Sequence, residues 1–173
     1  MYFIPLELSK IISVNPNPTP GKTSWRLVDS RPYLLQLGLM DLINDVYTLS
    51  IWTKPLEAVE IHKDQEPNGG GIKWSMVIAP IGHEDVTLEI FNQTVLTNND
   101  ECVSMAGDNK ILFLKVENAE LVDSWDMQTG PCVFNAYNEW HRIVNRSNQF
   151  RNLISIRSTN VELSDLIKKI NPL

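Results

Sequence analysis

The sequence predicts a mainly β fold, a jelly roll with flanking helices, and three observations carry that expectation. About eight short β-rich runs, at 46–52, 58–62, 72–79, 86–91, 111–116, 132–135, 140–144 and 150–157, follow one another between turn-forming stretches. Helical periodicity is confined to the two flanks of this series. The chain has 173 residues, 43% of them hydrophobic and 21% charged, the balance of a soluble globule with a sizeable core.

The elements follow in order. An amino-terminal strand ends at Asn15-Pro16-Asn17-Pro18-Thr19-Pro20-Gly21, a turn-rich connector, because proline lacks an N–H and drives the preceding residue out of the helical region. Pro32 stands at a favourable first-turn position, and the leucines and methionine from Leu34 to Ile43 recur on one helical face, which predicts the first helix. The β-rich runs come next. The tail, 162–170, reads as a short helix capped by Thr159 or Asn160, with Lys168 and Lys169 near its negative end. There is no internal repeat and no low-complexity tract. The chain therefore reads as one domain, 1–173, with its core at about 46–158 and the terminal elements as supports.

Composition narrows the function classes. A net charge of −6 disfavours polyanionic partners, so neither nucleic acid nor an anionic membrane surface is expected. Cys102 and Cys132 form no Cys-x-x-Cys pattern, so neither a disulfide scaffold nor a structural zinc site is indicated and a reducing, cytoplasmic setting is the default expectation. Met1-Tyr2-Phe3-Ile4-Pro5 lacks a basic region, and no run approaches the roughly 18 apolar residues of a membrane span. Oligomeric state is left open.

The chemistry is concentrated in His62-Lys63-Asp64 and in the stretch from Trp140-His141-Arg142 to Arg151. Side chains alternate along a strand, so His62 and Asp64 share a face with Lys63 opposite. Two imidazoles and one carboxylate suit non-haem Fe(II) with coordination positions left open, and a guanidinium nearby suits the far carboxylate of a dicarboxylic cosubstrate. By chance alone an acid falls two places after a given histidine about one time in eight, so the spacing persuades only in combination. It occurs again at His83-Glu84-Asp85, but there it follows Ala79-Pro80-Ile81-Gly82, whose turn residues predict an exposed surface loop. Asn68-Gly69-Gly70-Gly71, just after Asp64, suits either a lid over a site mouth or a plain hairpin turn. Arg151, Leu153, Ser155 and Arg157 alternate onto one face of the last strand; Arg157 reads as a solvated charge.

As a set these residues resemble the Fe(II)/2-oxoglutarate-dependent oxygenase superfamily, whose pattern is His-x-Asp, a distal His and an Arg about ten residues beyond. The resemblance covers roughly 58–158. It implies a double-stranded β-helix, with His62, Asp64 and His141 binding iron and Arg151 pairing with the distal carboxylate of 2-oxoglutarate. Ser155 assists in that role, although the family's serine stands two places after the arginine, where this chain has Leu153. It further implies hydroxylation by O2 of an amino-acid-like, peptidyl or other small substrate, with release of succinate and CO2. Asp64 disfavours halogenation, since halogenating members carry a small residue there. The alternative is a cupin-like jelly roll that binds metal or a small ligand without oxidation, although such proteins use His-x-His and a glutamate, and no His-x-His exists here.

Other patterns are set aside. Gly21-Lys22-Thr23 is a turn, since Pro16 stands where a phosphate-binding loop needs glycine. Asn92-Gln93-Thr94 and Asn145-Arg146-Ser147 match glycosylation acceptors without a secretory signal. Trp74, Tyr137 and Trp140 read as core or rim packing before pocket lining, and Cys132 as a small core side chain.

Overall fold

The computed structural model describes residues 2–6, 24–64, 71–95, 102–104, 110–114 and 116–170. The connector at 15–21, the Gly21-Lys22-Thr23 turn and Asn68, Gly69 and Gly70 lie outside them. Strands β1 (Phe3–Pro5), β2 (Ser24–Val28), β3 (Val46–Thr53), β4 (Ile61–Lys63), β5 (Trp74–Ile78) and β6 (Val86–Gln93) precede β7 (Cys102–Ser104), β8 (Lys110–Leu114), β9 (Ala119–Asp126), β10 (Cys132–Phe134), β11 (Trp140–Asn145) and β12 (Arg151–Ser158). They form two six-stranded antiparallel sheets, ordered β1-β10-β5-β12-β3-β2 and β7-β8-β4-β11-β6-β9. This is the expected jelly roll. Consecutive β11 and β12 belong to opposite sheets, as the wrap of such a sandwich requires.

Alternation sorts each strand between two environments. On β12 the odd positions face the other sheet: Leu153 joins Leu49, Ile51, Val77 and Phe134 from its own sheet and Leu88, Ile90 and Ile143 from the facing one in the inter-sheet core. The even positions, Ile154 and Ile156, turn outward with Trp74, Met76 and Val133 under the helices. Each fully buried aliphatic chain of this kind stabilises the fold by about 1.5–3 kcal/mol.

Two helices cover that outer face. In α1 (Arg31–Leu37) Pro32 occupies the first turn, while Tyr33 and Leu34 are buried. The expected helix to residue 43 is cut short at Gly38, whose φ of 68° and ψ of 23° are left-handed. Leu39 N–H reaches back to Leu34 C=O at 2.9 Å, a Schellman-type ending, and Met40–Leu42 form only a 3-10 turn. At the carboxyl end α2 (Leu163–Ile170) buries Leu166. Its approach is held by Ser158, not by the expected Thr159 or Asn160: the Ser158 Oγ accepts from Asn160 N–H at 3.2 Å and Val161 N–H at 3.0 Å. No helix among the described residues is long and apolar enough to cross a membrane.

The turn joining β11 to β12 is built around buried Asn145. Its Nδ2 donates to Lys54 C=O at 2.7 Å and Gln149 C=O at 2.8 Å, and its Oδ1 accepts from Ser147 N–H at 2.9 Å. An amide so engaged is no glycosylation acceptor; it fixes where β12 begins.

Candidate metal centre

His62 and His141 are direct partners across the β4–β11 pair, both on the inward face, with ring centroids 4.3 Å apart. Each ring is oriented by its own strand. His62 Nδ1–H donates to Glu60 C=O at 2.8 Å, and His141 Nδ1–H donates to Glu139 C=O at 2.9 Å. A proton held on Nδ1 leaves the Nε2 lone pair available, the tautomer in which histidine ligates metals.

Both Nε2 atoms point at Asp64. Its Oδ1 is 3.8 Å from His62 Nε2 and its Oδ2 is 3.7 Å from His141 Nε2. Asp64 lies one residue past β4, where its N–H donates to Ala136 C=O at 3.1 Å and its C=O accepts from Ile72 N–H at 2.8 Å. Three segments of chain therefore fix one carboxylate. Ligand atoms from His62, Asp64 and His141 all fall within 4.8 Å of one another, and all three residues are buried. The structure thus brings together the three expected ligands.

The electrostatics of the cluster are those of a site that wants a cation. Among the described residues neither carboxylate oxygen of Asp64 has a hydrogen-bond partner, although burial normally enforces one. Burial pushes the Asp64 carboxyl up, but the charges of Arg157, His141 and His62 outweigh it and hold the group below its ordinary value. His141 is pushed down to about 3, chiefly by burial and then by His62, against the pull of Asp64. An ionised, hydrogen-bond-free carboxylate facing the Nε2 atoms of two imidazoles fits a divalent metal.

The arginine expected to serve this site is not there. Arg151 and Arg157 share the inward face of β12, but six residues of extended chain separate them, roughly 20 Å at strand rise. Between them stands Leu153, fully buried in the apolar inter-sheet core. Arg151 lies at the far end of the sandwich, where its Nη2 donates to Asp85 Oδ2 at 2.7 Å. A five-carbon diacid on the triad cannot reach it. Arg157, expected to be a solvated charge, is instead largely buried, with its Nη1 3.4 Å from Asp64 Oδ2. Its Nε–H donates to Ser155 Oγ at 2.8 Å, and that hydroxyl is 2.8 Å from Ser75 Oγ. Ser155 therefore does stand beside a guanidinium near the triad, and that guanidinium is Arg157.

Direction explains the exchange. β11 runs away from His141, the chain turns at 146–150, and β12 returns, so its end and not its beginning comes back to the level of His141.

The remaining residues divide similarly. His83 does lie on the loop before β6, but half-buried rather than exposed: its Nδ1 accepts from Asn152 N–H at 3.2 Å, and its ring meets Trp52 edge-on at 5.4 Å. Burial and then the charge of Arg151 hold its pKa down against Glu84. Trp74 packs in the core under the helices, and Trp140 packs on the outer face of the second sheet with Ile61 and Phe91. Neither lines the triad; Phe134 does, its ring 4.7 Å from that of His141. Cys132 is a buried free thiol, as expected of a core side chain.

No protein-family model matches the sequence, and no curated protein matches it. Among solved structures the chain is similar to a Pseudomonas putida prolyl-4-hydroxylase, at 13% identity and a TM-score of 0.47, over 84% of this chain and 77% of that one. It is similar to an oxalate oxidase in complex with the substrate analogue glycolate, at 10% identity and a TM-score of 0.41, over 87% of this chain and 58% of that one. A Lactobacillus farciminis oxalate decarboxylase has 9% identity and a TM-score of 0.41, over 90% of this chain. The chain spans about a third of that decarboxylase, 35% of its length.

Proposed function

We propose that this protein is a mononuclear Fe(II) oxygenase that uses 2-oxoglutarate as cosubstrate to hydroxylate an amino-acid-like, peptidyl or other small substrate. The observation that carries the reading is Asp64, a fully buried carboxylate whose two oxygens lack hydrogen-bond partners and face two imidazole lone pairs. Three protein ligands leave coordination positions for a chelating 2-oxo acid and for O2. Bound there, the iron and its cosubstrate would supply the oxidation: substrate C–H, O2 and 2-oxoglutarate give substrate C–OH, succinate and CO2.

The residues of this chain bind and orient. Glu60 and Glu139 carbonyls hold the imidazoles with Nε2 inward. Arg157, steadied by Ser155, supplies the positive charge for the cosubstrate carboxylate, the role that the family resemblance implies for Arg151. The apolar layer of Leu49, Val77, Phe134 and Leu153 keeps water from the inner side of the cluster.

The test is spectroscopic and then catalytic. Anaerobic Fe(II) with 2-oxoglutarate should give a weak visible charge-transfer band, lost in His62→Ala and in Arg157→Ala and retained in Arg151→Ala. Succinate release, measured across amino acids, peptides and small metabolites, then ranks substrates. A protein that binds Fe(II) but shows neither band nor succinate would be the non-oxidative, cupin-like alternative.

A further inference from the structure

We infer, resting on the metal centre just proposed, that Arg157 is a charge latch that couples the metal to a carboxylate anion. It neutralises Asp64 while the cluster holds no cation, and it turns to the anion when a cation takes over that carboxylate. The geometry is specific on this point. The Arg157 guanidinium lies 3.4 Å from Asp64 Oδ2, within ion-pair distance, yet neither Asp64 oxygen accepts a hydrogen bond. The arginine thus contributes charge to a buried carboxylate without occupying the lone pairs that a metal would use. Its Nε–H is already tied to Ser155 Oγ, and Ser155 to Ser75, so the guanidinium is anchored at one edge, while its Nη groups make no hydrogen bond among the described residues.

A dication placed among His62, Asp64 and His141 would take over the neutralisation of Asp64 and leave an arginine a few ångströms from like charge. A carboxylate at the edge of the metal relieves that repulsion, and the planar guanidinium fork matches its two oxygens. Metal and carboxylate then favour each other, and linkage makes the factor the same in both directions. The ligand class is a carboxylate of any source that can reach the metal; no 2-oxo group is required for the coupling.

The experiment titrates the full chain with Co(II), a probe that avoids iron oxidation, in the absence and presence of saturating succinate, a dicarboxylate that cannot chelate through a 2-oxo group. In the wild type succinate should tighten Co(II) about tenfold, within the usual range of coupling between sites. Arg157→Gln should bind Co(II) alone about tenfold tighter than the wild type, because the competing charge is gone, and succinate should no longer matter. The latch is overturned if Arg157→Gln binds Co(II) no tighter, or if succinate still tightens it. Should that variant fail to fold, Arg157→Lys keeps the charge but loses the fork and the Ser155 bond; it should lose most of the succinate effect, and full retention overturns the latch. If Co(II) binds neither the wild type nor any variant, or binds His141→Ala as well as wild type, the metal centre itself fails, a result that the Arg157 variants cannot mimic.

Discussion

The two ends of β12 carry nearly the same residues and do opposite things. At one end stand His62, Asp64 and Arg157; at the other stand His83, Asp85 and Arg151, each set containing a His-x-Asp step and an inward arginine. At the far end every lone pair that matters is engaged. Asp85 takes Arg151 at 2.7 Å and is half exposed to water, and His83 spends its Nδ1 lone pair on the Asn152 N–H, leaving its proton on Nε2. At the near end the histidines donate their Nδ1 protons to backbone carbonyls and turn Nε2 toward a carboxylate that accepts no hydrogen bond among the described residues. The same residue types thus build either a closed structural cluster or an open ligand set. What decides is which nitrogen carries the proton and whether the carboxylate is already bonded.

That contrast can be broken or sharpened by experiment. The largest effect belongs to the ligands. His141→Ala should weaken Co(II) or Fe(II) binding by about 100-fold or more, since loss of supporting groups alone costs 10–100-fold, while His83→Ala should leave affinity within about twofold. Equal losses by calorimetric titration would erase the distinction between the ends.

Acid comes next. The His141 pKa is depressed from the ordinary 6.5 to about 3, so between those values the unfolded chain binds a proton that the folded one does not. Stability of the metal-free protein is therefore fully present above about pH 6.5 and falls as pH drops toward 3, by roughly 2 kcal/mol between pH 6.5 and 5 for one proton. His83, also depressed, adds in the same direction. Urea midpoints against pH should show the slope, and His141→Asn should flatten it by about one proton.

Smaller effects should follow at the two inward polar positions. Arg151→Ala should lower stability by about 1–2 kcal/mol, limited by the exposure of Asp85, with metal affinity unchanged. Ser155→Ala should cost about 1 kcal/mol in stability and weaken succinate binding to the Co(II) form, because Arg157 loses its anchor. A weakened Co(II) site in Arg151→Ala would show that the ends communicate after all.

Much of this was legible in the residues. Alternation of apolar side chains located β3, β5, β6, β8, β10, β11 and β12, and the near-strand pairing of His62 with Asp64 follows from period two alone. Strand β9 was missed because Ala119-Glu120-Leu121-Val122-Asp123-Ser124-Trp125-Asp126 is an edge strand rich in acids, half of it facing water. Strand β2, also an edge, carries an exposed Trp25 and Leu27 and lacks a buried signature. The first helix ends earlier than its leucines predict because their period continues across Gly38, whose left-handed conformation overrides it. Parity puts Arg151 and Arg157 on one face and says nothing about which end meets His141, so the placement of Arg157 and not Arg151 beside Asp64 is not legible from spacing. The signal that resolves it lies in the chain path: a strand that returns from a tight turn brings its last residues, not its first, beside the start of its predecessor.

The carbonyl two residues before each histidine has a consequence for how such centres arise. Because His62 and His141 are aimed by their own local backbone and meet by simple strand register, the pair amounts to a portable two-nitrogen chelate that any antiparallel ladder with inward space can host. Asp64 is not portable in this way. Its position depends on strand ends from elsewhere in the sandwich, so transplanting the centre to another scaffold stands or falls with copying the junction around Ala136 and Ile72.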